Sequence, residues 1–128
     1  MHDATNPETK VWLVVRKDLA IPGPKLAVQS GHAFFRLALL ASRTDPRGVE
    51  EYVARSEPKI VVGVDGLAGL RRCLEECQAA GLPCVLVEDE GRTVFPEPTV
   101  TVMAVGPCRR EQLPKYVARL QMLKETAS

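Results

Sequence analysis

Residues 11–15 read Val-Trp-Leu-Val-Val, an apolar run bounded by Lys10 and by Arg16-Lys17-Asp18. A strand with one wet face alternates apolar and polar residues, so an unbroken run of this kind predicts a strand covered on both faces. Similar runs occur at residues 59–64, 84–87 and 100–105. Between the first two, the period changes. Pro24 suits the first position of a helix, which is predicted over residues 24–42. A shorter helix is expected over 46–55, with Val49, Tyr52 and Val53 on one side. Leu67, Leu70, Leu74 and Cys77 then recur at helical spacing, and Gly81 is a natural stop. Leu113, Val117, Leu120 and Leu123 share a stripe that predicts a last helix over 111–123. Residues 89–98 form a polar, proline-bearing loop.

The order is therefore β-α-α-β-α-β-β-α. Strands separated by helices predict parallel crossovers with helices on both faces, and the consecutive third and fourth strands predict an antiparallel pair. The expected class is α/β, a three-layer α/β/α arrangement around a mixed four-stranded sheet.

Composition narrows this little. A chain of 128 residues, 45% hydrophobic and 26% charged, fits one globular domain without disulfide or metal staples. It is expected over residues 11–128, after a polar flexible tail at 1–10. No segment predicts a signal peptide or a membrane span. The net charge of +1 means that any nucleic-acid contact must come from a local patch. Cys73, Cys77, Cys84 and Cys108 match neither C-x-x-C nor a zinc-ribbon spacing; they are expected to be reduced core residues in a cytoplasmic protein.

The first helix carries an unusual polar line. With Lys25 at zero and ~100° per residue, Gln29 falls near ~40°, His32 near ~−20° and Arg36 near ~20°. The narrow line predicts a largely buried helix. It contains no acid, and it starts at a helix N-terminus, where anions are favoured. A solvent-facing stripe is the alternative explanation. A second polar cluster, Glu88-Asp89-Glu90-Gly91-Arg92-Thr93, follows the third strand, where α/β proteins commonly hold their chemistry. Thr99 and Thr101 follow on one face of the next strand. An ordinary solvated turn is the competing account. The G-x-S-x-G, H-E-x-x-H and P-loop signatures do not occur.

Taken together, the two clusters resemble the type II peptidyl-tRNA hydrolase family. The similarity rests on Arg16-Lys17-Asp18-Leu19; on Gly23-Pro24-Lys25-Leu26-Ala27-Val28-Gln29 with Gly31-His32-Ala33; on Asp89-Glu90-Gly91-Arg92-Thr93; and on Thr99-Val100-Thr101 with Gly106-Pro107. The chain departs from the family pattern at Glu90, Val94, Gly63 and Pro96-Glu97-Pro98. The resemblance implies a mixed four-stranded sheet between helical layers, often in a homodimer. It also implies metal-independent, cofactor-free cleavage of the ester in peptidyl-tRNA. By the same resemblance, Lys25, Asp89 and Thr93 are the expected catalytic residues. Arg16, Asp18, Gln29, His32, Arg36, Arg92, Thr99 and Thr101 are the expected substrate-binding residues.

In that scheme Lys25 stabilises the oxyanion or holds a phosphate, and Asp89 orients Lys25 or a water. Thr93 positions the water or the substrate, and His32 is available as a proton carrier. Arg16, Lys17, Lys25, Arg36 and Arg92 are expected to form a local positive rim for tRNA, which Arg109, Arg110, Lys115 and Arg119 extend. The scheme requires the Lys25 and Asp89 side chains to meet within about 10 Å. Two other functions compete: a non-catalytic relative acting as an RNA- or protein-interaction module, and an unrelated small-molecule-binding domain with a pocket away from Lys25.

Overall fold

The computed structural model describes residues 8–125; most of the expected N-terminal tail, residues 1–7, lies outside the described residues. The unbroken apolar run forms β1 (Lys10–Arg16), with β2 (Lys59–Val64), β3 (Cys84–Asp89) and β4 (Thr99–Cys108) completing one sheet in the order β2-β1-β4-β3. β1 and β2 are parallel, joined by the crossover helices α1 (Gly23–Thr44) and α2 (Pro46–Ala54). β4 runs antiparallel to both β1 and β3, so the sheet is mixed, as expected.

β1 is covered on both faces. Val11, Leu13 and Val15 pack with Ala33 and Leu37 of α1 and Tyr52 of α2. Trp12 and Val14 pack on the opposite face with Leu70, Cys73 and Cys77 of α3 (Leu67–Ala79) and Val117 of α4 (Lys115–Ala118). Two apolar cores therefore flank the sheet, which gives the three layers. All four cysteines are free, and Cys73, Cys77 and Cys108 are buried. Burial pushes the Cys77 thiol up to about 12 and those of Cys73 and Cys108 up to about 11, because a thiolate is poorly solvated there.

Two expectations change. The helix predicted over 111–123 is broken: a single turn spans Arg110–Gln112, and α4 covers only Lys115–Ala118. Pro114 lacks the N–H that a continuous helix needs and instead opens α4 as its N-cap. Leu113 and Val117 keep their core positions. The chain beyond α4 is extended. Gly63 N–H donates to Gln121 O at 3.0 Å and Leu123 N–H to Val61 O at 3.0 Å, so this segment covers the otherwise open edge of β2.

The second change concerns α1, which is not largely buried. Gln29, Ala33, Leu37 and Ala41 form its buried line, while Val28, Phe35 and Leu39 are 51%, 69% and 51% exposed. A helix resting on one face of a sheet buries only the sector it turns toward that sheet, and an apolar side chain outside that sector stays wet. The direction of the buried line matters for function, because it carries Gln29 over the ends of β3 and β4.

Candidate active site

Asp89 is the last residue of β3, two residues beyond the end expected from the apolar run, and it is 8% exposed. The adjacent pairing explains how a threonine comes to face the same region. Val87 pairs with Val102 and Glu88 with Val100, so Thr101 has no partner across the ladder. This bulge re-aims β4: Val100 packs in the α3-side core, Val102 in the α1-side core, and Thr101 is fully buried. Its hydroxyl donates to Gln29 Oε1 at 2.7 Å. Gln29 in turn donates from Nε2 to Asp89 Oδ1 at 3.2 Å. The amide thus joins helix to strands, with its oxygen and nitrogen each assigned by a partner.

Lys25, the third residue of α1, completes the group. Its Nζ lies 2.6 Å from Asp89 Oδ1 and donates to Thr93 Oγ1 at 3.0 Å. The lysine side chain is 15% exposed. Asp89 Oδ2 accepts from the backbone N–H of Gly91 at 2.9 Å. Gly91 has φ +81°, and a Cβ there would stand 2.3 Å from the carbonyl carbon of Glu97, so only glycine lets the turn close on itself. Phe95, 8% exposed, anchors the same loop, while the Thr99 hydroxyl donates to Glu97 O at 2.8 Å. Thr93 is thereby presented to Lys25 by a loop tied down at both ends.

The hydrogen bond from Lys25 and that from the Gly91 amide hold the Asp89 carboxyl below the usual carboxylate range, with Gln29 adding to the effect. Asp89 is a fixed anion that accepts from Gln29 and Lys25 on Oδ1 and from Gly91 on Oδ2, three of a carboxylate's roughly four acceptor sites. Lys25 has three N–H donors, of which two are committed, and the third is available to a ligand. Thr93 accepts from Lys25, so its own O–H is also free to donate. A cation at a helix N-terminus opposes the helix dipole, and Asp89 offsets it. The outcome is a partly exposed, donor-rich corner.

The side chains of the remaining expected site residues make no hydrogen bond or ion pair with Lys25, Asp89 or Thr93 among the described residues. Arg16 grips both carboxylate oxygens of Asp18 (3.1 and 2.7 Å) and donates to Val100 O at 3.0 Å; the bond from Arg16 also lowers the Asp18 pKa. The pair pins the end of β1 to the start of β4. Arg92 pairs with Glu90 at 3.0 Å, Lys17 with Asp65 at 3.1 Å and Arg109 with Glu111 at 3.1 Å. His32 and Arg36 are exposed on α1. Neither forms a hydrogen bond or ion pair among the described residues. The bridging role of Gln29 and the bulge at Thr101 were not expected. For Gln29 the only hint was its place on the helix, one turn before the small core residue Ala33. A hollow of about 750 Å³ lies at the start of α1, between Val15, Ile21, Gly23, Leu26 and the segment carrying Met122 and Leu123. Among the described residues, no group of three or more His, Cys, Asp or Glu is arranged to hold a metal ion.

Comparison with known proteins bears on the same stretch of chain. The family model described as peptidyl-tRNA hydrolase PTH2 matches residues 9–123. A protein named peptidyl-tRNA hydrolase from Methanocaldococcus jannaschii is 33% identical over 114 residues, which is 89% of this chain and 99% of that protein. Proteins of the same name from Pyrobaculum aerophilum and Thermococcus onnurineus are 31% and 30% identical. They cover 91% and 89% of this chain and 99% and 97% of their own lengths.

Proposed function

The chain belongs to the peptidyl-tRNA hydrolase PTH2 family, and from that premise we propose that it hydrolyses the ester joining a peptide to the 3′ end of tRNA. The observation that carries this reading is the contact of Lys25 with both Asp89 and Thr93, 2.6 and 3.0 Å from Nζ. Two polar segments far apart in sequence meet well inside the 10 Å that joint action requires.

In this reading, water attacks the ester carbonyl and negative charge grows on its oxygen; the bond to the tRNA 3′ oxygen then breaks, and that oxygen takes up, through solvent, the proton that the water gives up. The third N–H of Lys25 and the hydroxyl of Thr93 are preorganised donors for that charge, in a partly desolvated corner where such donors count most. Asp89 works through Lys25, as a positioning residue. Its lowered pKa makes it a weak base near neutrality, where an efficient general base has a pKa close to the operating pH. Gln29 and Thr101 keep Asp89 in register from beneath. Lys25 supplies the positive charge at the oxyanion, so the reaction proceeds without a metal, in the cytoplasm where translation supplies the substrate. Arg36 and His32, exposed beside the site, meet the tRNA, whereas Arg16 serves chiefly to fix the loop around Asp18.

An N-acetylated aminoacyl-tRNA, which mimics the peptidyl ester, tests the assignment. Wild type releases free tRNA, and Lys25→Ala lowers kcat by about 10²- to 10³-fold, the range for losing a preorganised oxyanion donor. Chelator-dialysed enzyme keeps its rate. An inactive wild type would overturn the activity, and a fully active Lys25→Ala would overturn the site.

A further inference from the structure

The outward face of α1 is unusual in two respects that coincide. It holds three large exposed apolar side chains, Val28, Phe35 and Leu39, of which Phe35 is 69% exposed. Trp12, Tyr52 and Phe95, by contrast, are all below 9% exposed. Alongside them run His32, Arg36 and Arg43, at ~−20°, ~20° and ~0° on the helix circumference against ~−40° to ~−80° for the three apolar residues. The 22 residues of α1 include no Asp or Glu, and Arg36 and Arg43 form no ion pair among the described residues. Arg16, Arg72, Arg92 and Arg109 are each matched by a nearby carboxylate, whereas Arg47, Arg55, Arg71, Arg110 and Arg119, like the two on α1, form no ion pair among the described residues.

An exposed aromatic ring beside unmatched cations is the combination that binds single-stranded nucleic acid: bases stack on the ring while phosphates meet the cations. The position fits the chemistry of the neighbouring site. Phe35 follows Lys25 by about 15 Å along the helix axis, at ~1.5 Å per residue, a span of a few nucleotides. The substrate's ester sits at the end of the unpaired 3′ tail of tRNA. The geometry points to α1 as the cradle of that tail: a base near the 3′ end stacks on Phe35, and the adjoining phosphates lie along His32, Arg36 and Arg43. Val28 and Leu39 extend the apolar platform. A second copy of the chain suits this face poorly, because pairing α1 with itself would bring Arg36 and Arg43 against like charges, and the helix carries no acid to offset them. This inference rests on the hydrolase reading for the location of the ester, but binding of uncharged tRNA tests it separately.

The probes are uncharged tRNA with an intact 3′ tail and the same tRNA with the unpaired tail removed. Wild type is expected to bind the intact form more tightly, and Phe35→Ala to remove most of that preference. The expected loss is about 5- to 160-fold, the range for one base–aromatic stack. Phe35→Trp retains the preference, and its indole fluorescence is quenched by the intact form only. Arg36→Ala with Arg43→Ala lowers the slope of log affinity against log salt by about 1.4, two single-strand phosphate contacts. In hydrolysis, Phe35→Ala raises KM and leaves kcat within a factor of about two.

If Phe35→Ala binds both tRNAs as wild type does, and the indole is not quenched, the cradle is overturned while the hydrolase reading stands. If wild type binds the intact form preferentially yet cleaves no ester, the hydrolase reading fails and the cradle survives. If Phe35→Ala instead converts a dimer to a monomer by sedimentation, or abolishes binding to anionic phosphatidylserine vesicles, with tRNA affinity unchanged, the face serves another partner and the proposal is wrong.

Discussion

At the scale of single residues, the site depends on an amide that touches no substrate in this account. Gln29 is 1% exposed and satisfies both the Thr101 hydroxyl and one oxygen of Asp89. Gln29→Ala would leave the buried Thr101 hydroxyl only a long contact of 3.4 Å to Val87 O, so a loss of about 1–3 kcal/mol is expected in urea unfolding, together with reduced kcat as Asp89 loses a support. Asp89 makes a separate prediction about acid. Its folded pKa is lowered, so its contribution to stability is complete at neutral pH and disappears as pH falls through that folded value. Asp89→Asn removes this contribution. Stability of the variant measured from pH 7 down through the carboxylate range is therefore expected to fall less steeply than wild type; parallel curves would contradict the lowered pKa. Sequence could nominate Lys25, Asp89 and Thr93 as neighbours of interest, yet angular position on a helix cannot say which polar residue of a stripe turns inward. Gln29 and His32 lie on the same stripe, and one is buried while the other is exposed.

At the scale of elements, most of the fold was legible because its signals are local. The β-branched run of β1, Pro24 at the start of α1, and Gly81 after α3 each act within a few residues. The misread pieces depend on tertiary pairing or on competition between signals. The leucine stripe at 113–123 has helical spacing, but Pro114 interrupts it, and the remaining residues gain more by pairing with the edge of β2. The bulge at Thr101 follows from register between strands, which no single-strand pattern reveals. The loop from Glu90 to Pro98 has its own requirement at Gly91. Gly91→Ala faces both a positive φ and the Glu97 backbone, and a cost of about 1–3 kcal/mol or more is expected. Because the same turn presents Thr93, ester cleavage is expected to fall with it even at temperatures where the variant is fully folded. Unchanged thermal midpoint and unchanged rate together would refute the claim that the turn is tightly closed.

At the scale of the whole molecule, the two faces of the sheet have separate duties. The α3 side is an apolar core in which Cys73, Cys77 and Cys108 pack as small hydrophobic residues. Their raised pKa values mean little thiolate at pH 8, so native protein is expected to react with a thiol reagent far more slowly than urea-unfolded protein, with the partly exposed Cys84 reacting first. Equal rates in both states would contradict that packing. The α1 side carries the proposed site, because the helix and the ends of β3 and β4 bring Lys25 onto Asp89. The central claim is that these two residues work as one unit, and a double-mutant cycle measures it directly. Single-turnover cleavage of N-acetylated aminoacyl-tRNA is compared for wild type, Lys25→Ala, Asp89→Asn and the double variant at saturating enzyme. The account requires the double variant to be about as slow as Lys25→Ala alone, since Asp89 acts through Lys25. Losses that simply multiply, or a Lys25→Ala enzyme as fast as wild type, would contradict it.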